Sequence, residues 1–255
     1  MYTTFDNIKT LHAFTTRHGG VSRGVYGALN LGVNRGDDPA NVRENYRIIG
    51  DKLGIDISKL VFSKQVHEDC VRVVTAADSL GNIENPVPYE ADGLVTSEKN
   101  LPLIIFTADC IPILLHDPKA GVIGAVHAGW RSTVLDIAGK AVGKMVTELG
   151  ASPQDIRAAI GPGIGSCCFE TGSEVPEAVN QLMGGDAQQF IEPHGRKFKV
   201  DLKGINKKLL TRAGVCEENI EVSEECTHCL SEKYWSHRKT GGVRGSQASI
   251  IMLRI

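Results

Sequence analysis

Three short segments carry side chains able to share one metal ion: Gln65-Val66-His67, Ala108-Asp109-Cys110 and His127-Ala128-Gly129-Trp130. Two imidazoles and a thiolate are the donor set of a catalytic zinc site that keeps one coordination position open. Such a site suits hydrolysis or group transfer, because zinc with an open position lowers the pKa of a bound water toward ~7. Taken singly, His67 and His127 also read as satisfied polar groups at strand ends, and Cys110 as a buried thiol. Their wide spacing matches no short zinc-finger pattern. No fourth ligand lies adjacent in sequence, although His18 or His237 could arrive through the fold.

The elements that must position these residues are legible from periodicity. Apolar, β-branched runs at 101–107, 111–115 and 122–126 read as strands, the last two joined as a hairpin through Pro118-Lys119-Ala120-Gly121. Their nearly continuous apolar character predicts a sheet covered on both faces. Residues 60–66 and 71–75 read as further strands, so His67 ends one strand and His127 another. On such a strand Glu68 would point to the face opposite His67. Strands are also expected at 156–160 and 248–253, with a surface loop at 78–90.

A helix is predicted from Asp38 as N-cap and Pro39 at the first position, with Val42, Tyr46, Ile49 and Leu53 on one face and Gly54 as its stop. Val134, Ala138, Ala141, Met145 and Leu149 form a second helical stripe closed by Gly150. Shorter helices are expected at 174–183 and 202–213, the latter with Leu202, Ile205 and Leu209 inward. No repeat, linker or low-complexity tract interrupts the chain. It reads as one α+β domain over 1–255, with mixed β-sheets covered by helices.

Composition narrows the function classes. The chain has 255 residues, 42% hydrophobic and 23% charged, ordinary for a soluble globular protein. A net charge of -2 gives no electrostatic reason to expect nucleic-acid binding. No apolar run approaches a membrane span, and MYTTFDNIKT lacks a signal-peptide core, so a cytoplasmic location is expected. Seven cysteines in a long chain with an ample core argue for reduced thiols rather than a disulfide scaffold.

A family resemblance sharpens this reading. TTRHGGVSRGVYGALNLG, SKQVHEDCV, ADGLVTSEKNLPLIIFTADCIPILL, GAVHAGWRST, IGPGIGSCCFETG and ECTHCLSEKYWSHRKTGG are similar to successive blocks of the bacterial YfiH-type family, also called laccase-domain or polyphenol oxidoreductase proteins. The resemblance runs from about residue 14 to 250. It implies a layered α/β/β/α fold and a zinc held by His67, Cys110 and His127. It also implies phosphorolysis of purine nucleosides such as adenosine, inosine and methylthioadenosine, with adenosine deamination. Copper and phenol oxidation are further family associations. A multicopper centre, however, needs many imidazoles, commonly in His-x-His pairs; the eight histidines here include no such pair, and three N/S donors make a mononuclear site.

The implied reactions assign further roles. Deamination would attack C6 of the purine, as in other zinc deaminases, but the His-x-Glu and Pro-Cys-x-x-Cys signature of those enzymes is missing. A separate acid/base is therefore required. Asp109 is the candidate, with orientation of a ligand histidine as its alternative role. Phosphorolysis needs cations around phosphate, for which Arg17, Arg131 and Arg238 are the candidates. The segment VRGSQAS departs from the family's usual Gly-Arg ending, which puts the role of an arginine at that spot in doubt and leaves open whether Arg244 substitutes. Trp130, Phe169 and Trp235 read as core aromatics first and purine-stacking residues second. Gly161-Pro162-Gly163-Ile164-Gly165 reads as a tight loop near the pocket rather than a dinucleotide fingerprint. Cys226 and Cys229 form one Cys-x-x-Cys, which could build another zinc site with Cys167 and Cys168.

Three rivals to the purine enzyme stand. A cysteine hydrolase or amidase, of the kind linked to cell-wall peptide quality control, would use Cys110 as nucleophile and His127 as base. A copper-dependent phenol oxidase is the second. The third is a non-enzymatic zinc-stabilised binding protein.

Overall fold

In the computed structural model, which describes residues 1–254, two β-sheets lie face to face between helices. The smaller sheet is antiparallel, in the order β1 (Tyr2–Thr3), β2 (Leu11–Thr15), β13 (Gln247–Met252), β5 (Leu103–Thr107). The larger runs β12 (Ile220–Val222), β8 (Arg157–Ile160), β6 (Ile111–Asp117), β7 (Val122–Ala128), β4 (Gly93–Thr96), β3 (Val71–Val73). Its outer pairs β12–β8 and β3–β4 are parallel and its central pairs antiparallel. A small antiparallel sheet of β10 (Ile191–His194), β11 (Lys197–Val200) and β9 (Glu170–Thr171) completes the strands.

Strand alternation assigns each side chain to a layer. Phe14, Leu103, Ile105 and Ile251 of the smaller sheet meet Leu94, Leu114, Ile123 and Ala125 of the larger one in a common core. Their neighbours Ala13, Ile104 and Ile250 face outward beneath α1 (Pro39–Leu53), meeting Val42, Tyr46 and Ile49. On the far side, Ile113, Leu115 and Val126 pack against α3 (Ile137–Leu149) and α5 (Leu202–Arg212) through Ala138, Met145, Ile205 and Leu209. The layering is α/β/β/α. Every residue of β6 and β7 is buried, which is why those runs carry almost no polar alternation.

Local signals hold closely in the helices. Asp38 caps α1 by accepting from the Ala40 N–H, and Gly54 ends it at φ 66°. The helix α4 (Glu174–Met183) occupies the expected span. The stripe after Trp130 is not one helix. A short α2 (Trp130–Val134) stops, and α3 starts anew because Asp136 turns left-handed at φ 59° and caps the Gly139 N–H. A last turn, α6 (His237–Thr240), begins at Ser236.

Two strand expectations are corrected. The three apolar runs do not share a sheet: β5 belongs to the smaller sheet and β6 and β7 to the larger, and the Ala108-Asp109-Cys110 turn carries the chain between them. Residues 60–66 form no strand. They make only isolated bridges, Val61 with Leu103 and Lys64 with Glu90, because the segment leaves the β5 edge after one pairing. Among the described residues, no helix is long and apolar enough to cross a membrane.

Candidate metal centre and the cleft beside it

Two of the three donors, His67 and Cys110, reach the centre through or beside left-handed backbone, and the third through a regular strand. His67 sits in a turn at φ 63°, a conformation disfavoured for a residue with a Cβ. What holds it there is the Asp92 carboxylate, which accepts the backbone N–H groups of Val66 (3.1 Å), His67 (3.1 Å) and Glu68 (3.0 Å). Glu68 therefore belongs to this turn, not to the opposite face of a strand. Cys110 follows Asp109, itself at φ 92°, in the crossover from β5 to β6. His127 is the penultimate residue of β7 and alternates with Val126 and Ala128, so its ring turns toward the inter-sheet side.

The three side chains converge. One donor atom from each lies within 4.8 Å of the others, and no fourth His, Cys, Asp or Glu joins them among the described residues. Cys110 Sγ is 3.8 Å from His67 Nε2, and the two imidazoles stand at 82° with centroids 4.8 Å apart. Zinc bonds of ~2.3 Å to sulfur and ~2.0 Å to nitrogen place tetrahedral donors about 3.5 Å apart, so this spacing fits the ion. Gly129 makes room for it: a Cβ there would lie 2.8 Å from His67 Cδ2 and 3.3 Å from Cys110 Sγ.

Without an ion, electrostatics couple Cys110 and His127 as a thiolate and an imidazolium, and a metal would take the place of the imidazolium proton. Burial alone would push the Cys110 thiol up, but His127 and His67 outweigh it and bring the pKa down to about 6. Burial would likewise push His127 down, yet Cys110 and Asp92 raise it to about 9. His127 Nδ1 is 2.7 Å from Asp92 Oδ1, which leaves Nε2 for the centre. Burial pushes Asp92 up, but its bonds to His127 and the loop amides hold it below the usual carboxylate range.

A cleft of about 340 Å³ opens on the three donors. Phe62 and Phe106, in edge contact at 5.4 Å, line it together with Ile83. Arg35, Lys64 and Arg244 bring positive charge to the same cleft. Burial and then the neighbouring Arg35 charge push the Arg244 guanidinium below its ordinary pKa. Arg244 Nη1 donates to Gly245 O and Ser246 Oγ, both at 2.9 Å, whereas its Nε and Thr107 Oγ1 are buried without protein partners. Those two polar atoms suit an oxyanion or a hydroxylated ligand.

The remaining residues singled out from sequence lie elsewhere. Asp109 is buried, and its oxygens accept from Thr227 Oγ1 and the Arg238 N–H, each at 2.7 Å. It bonds to neither His67 nor His127; Asp92 fills that place. Arg17 stacks on Trp235 at 4.1 Å and donates to Gly27 O and Ser231 O, tying down the glycine-containing loop. Arg131 lies over Trp130, and Arg238 donates to Cys168 O and Glu170 O. None of these three arginines lines the cleft, nor do His18 and His237. Trp235 and Phe169 are core residues, and the cleft's aromatics are Phe62 and Phe106. Sequence reasoning missed Asp92, Gly129 and Arg35. The signal for Asp92 was an acidic residue set directly before an apolar strand, a position that needs a reason to be charged.

Comparison with known proteins follows the same lines. The family described as multi-copper polyphenol oxidoreductase laccase matches residues 11–254. A Deinococcus radiodurans protein named purine nucleoside phosphorylase is 41% identical, over 97% of this chain and 90% of its own length. Adenosine deaminase RL5, from an unknown prokaryotic organism, is 35% identical over 94% of this chain and 93% of its own. The crystal structure of a Bacillus licheniformis hypothetical protein, YfiH, superposes with a TM-score of 0.92 at 35% identity, covering 95% of this chain and 92% of that one.

Proposed function

The chain belongs to the multi-copper polyphenol oxidoreductase laccase family, and from that premise we propose that it is a zinc-dependent purine nucleoside phosphorylase with adenosine deaminase activity. Adenosine, inosine and methylthioadenosine are its substrates, with phosphate as co-substrate. The observation that carries this reading is that one cleft joins a two-nitrogen, one-sulfur donor set to guanidinium groups and an aromatic wall. The activities named for the relatives supply the substrate class.

His67, Cys110 and His127 would hold the zinc, which supplies a Lewis acid with an open position when bound. A His2Cys set also suits copper where a weak axial methionine completes it, but no methionine lines this cleft. Asp92 keeps the Nδ1 proton of His127 and the turn of His67 in place. Arg244 and Arg35 hold the phosphate, taking over the role first assigned to Arg17, Arg131 and Arg238. Phe106 and Phe62 give the purine an apolar surface that excludes water from the reacting carbon. In phosphorolysis a phosphate oxygen bonds to C1′ of the ribose while the bond from C1′ to N9 breaks, and the base leaves with that electron pair. Asp109, with both oxygens engaged by protein donors, positions the turn that carries Cys110 instead of moving a proton.

The test is product identification with stoichiometric zinc. Ribose 1-phosphate formation from inosine should require phosphate, and Arg244→Ala and Arg35→Ala should each raise the phosphate KM tenfold or more with little change in the nucleoside KM. No turnover of any purine nucleoside with zinc bound overturns the reading. Deamination alone, indifferent to phosphate, overturns its phosphorolytic half.

One observation favours a second reading. Cys110 drawn down to about 6, beside His127 drawn up to about 9 and oriented by Asp92, is the arrangement of a nucleophile, base and orienting group. A chain purified without metal that is alkylated at Cys110 and cleaves amide substrates would establish a cysteine hydrolase in its place.

A further inference from the structure

A second group of sulfurs lies outside the cleft. Cys167 and Cys168 follow the Gly161–Gly165 loop, and Cys226 and Cys229 flank Thr227-His228 in a separate turn. All four Sγ atoms are within 4.8 Å of one another. Cys168 is 3.4 Å and Cys167 3.7 Å from Cys229. A disulfide would need ~2.05 Å between sulfurs. Four sulfurs placed tetrahedrally at ~2.3 Å from a zinc lie about 3.8 Å apart, the spacing found here.

The backbone around the group is built to approach sulfur. The Gly165 N–H donates to Cys226 Sγ at 3.2 Å, and the amides of His228 and Cys229 point at the same atom. A Cβ on Gly165 would fall 3.2 Å from Cys167 Sγ and 3.3 Å from Cys226 Cβ, so glycine lets the two segments meet. They are also stitched by a bridge between Gly163 and Cys226, with the Thr227 N–H donating to Gly163 O. Nearby positive charge complements a tetrathiolate. Lys203 is buried within electrostatic reach of Cys226 and Cys167, and Arg238 donates to Cys168 O.

We propose that Cys167, Cys168, Cys226 and Cys229 bind a second zinc ion in a closed tetrahedral site that pins residues 226–238 to the 161–168 loop. Four thiolates around one divalent ion saturate its coordination, so the site is structural and offers no position to substrate. Lys203 and Arg238 offset the net negative charge of the complex. The site reaches the first centre mechanically, since Thr227 and Arg238 hold the two oxygens of Asp109, next to Cys110. Because Cys167 and Cys229 are exposed, the ion can load into the folded chain.

Elemental analysis of four forms of the full chain decides it. The wild type should hold two zinc ions, and His67→Ala/His127→Ala should retain one. Cys167→Ser/Cys229→Ser should also hold one, and the combined variant none. A wild type with a single zinc that vanishes in His67→Ala/His127→Ala overturns the proposal, as does a Cys167→Ser/Cys229→Ser chain that keeps two. Should the cysteine variants fail to fold, cobalt(II) titration of His67→Ala/His127→Ala gives an independent answer. One equivalent should produce intense thiolate-to-cobalt charge transfer with tetrahedral d–d bands, and their absence overturns the assignment. These readouts do not involve nucleoside turnover, so they stand or fall apart from the catalytic reading.

Discussion

The Asp92 carboxylate binds His127 Nδ1 at 2.7 Å and, through the same two oxygens, the backbone of the turn that presents His67. One fully buried acid thus sets both imidazoles of the centre. Two imidazoles from distant parts of the chain depend on one residue that hydrogen-bonds to the Nε2 of neither.

Asp92→Asn keeps the shape but replaces a charge-assisted partner with an amide whose N–H₂ confronts loop N–H groups. Zinc affinity at the first centre should fall by about 10- to 100-fold, the usual cost of losing such a support. Competition with a chromophoric chelator measures it. Unchanged affinity would show that the imidazoles are set by packing alone.

Gly129→Ala tests steric room at the centre. Its new Cβ would press within 2.8 Å of His67 Cδ2 and 3.3 Å of Cys110 Sγ, so the donors must shift from their present spacing. Zinc occupancy should drop while the melting temperature in the presence of chelator barely changes. A fully loaded Gly129→Ala protein would show that the centre tolerates a side chain at this position.

Thiolate character gives a pH prediction for the chelator-stripped protein. Cys110 titrates at about 6, below the ordinary thiol, so the charged form is present above that value and lost as pH falls through it. Iodoacetamide labelling of Cys110 should rise with pH to a plateau, with its midpoint near 6. The stability contributed by this ionisation is present above the unfolded thiol value and disappears on acidification through about 6. His127 runs the opposite way: its contribution is full below the ordinary histidine value and is lost as pH climbs through about 9. In His127→Ala the labelling midpoint should move up toward the free-thiol range.

Leu114→Ala separates fold from site. Leu114 is fully buried between the two sheets, and its truncation should cost about 2–5 kcal/mol in denaturant unfolding. Zinc stoichiometry in the surviving folded protein should remain unchanged.

Periodicity and caps exposed the helices because their determinants are neighbours in the chain. Asp38, Pro39 and Gly54 bracket α1, and the apolar face of α4 repeats every turn. The β6–β7 hairpin was equally visible, since its turn residues are contiguous. Residues 60–66 misled because an apolar run records burial, not pairing, and Val61 is buried without belonging to a ladder. The surroundings of an arginine were equally hidden: a guanidinium beside a glycine-containing loop looks available, and only the contact of Arg17 with Trp235 and two carbonyls reveals that it is already engaged.

By itself the sequence determined which atoms could hold a metal, namely His67, Cys110 and His127, because ligand chemistry resides in side-chain type. Tertiary structure decided the rest. It split the apolar runs between two sheets, turned His67 through a left-handed backbone, and put Asp92 behind both imidazoles. It also gathered Arg35 and Arg244 into one cleft and brought four cysteines from two loops together. Those relationships are sums of contacts between residues far apart in the chain, and no local pattern encodes a distance that only the packed layers create.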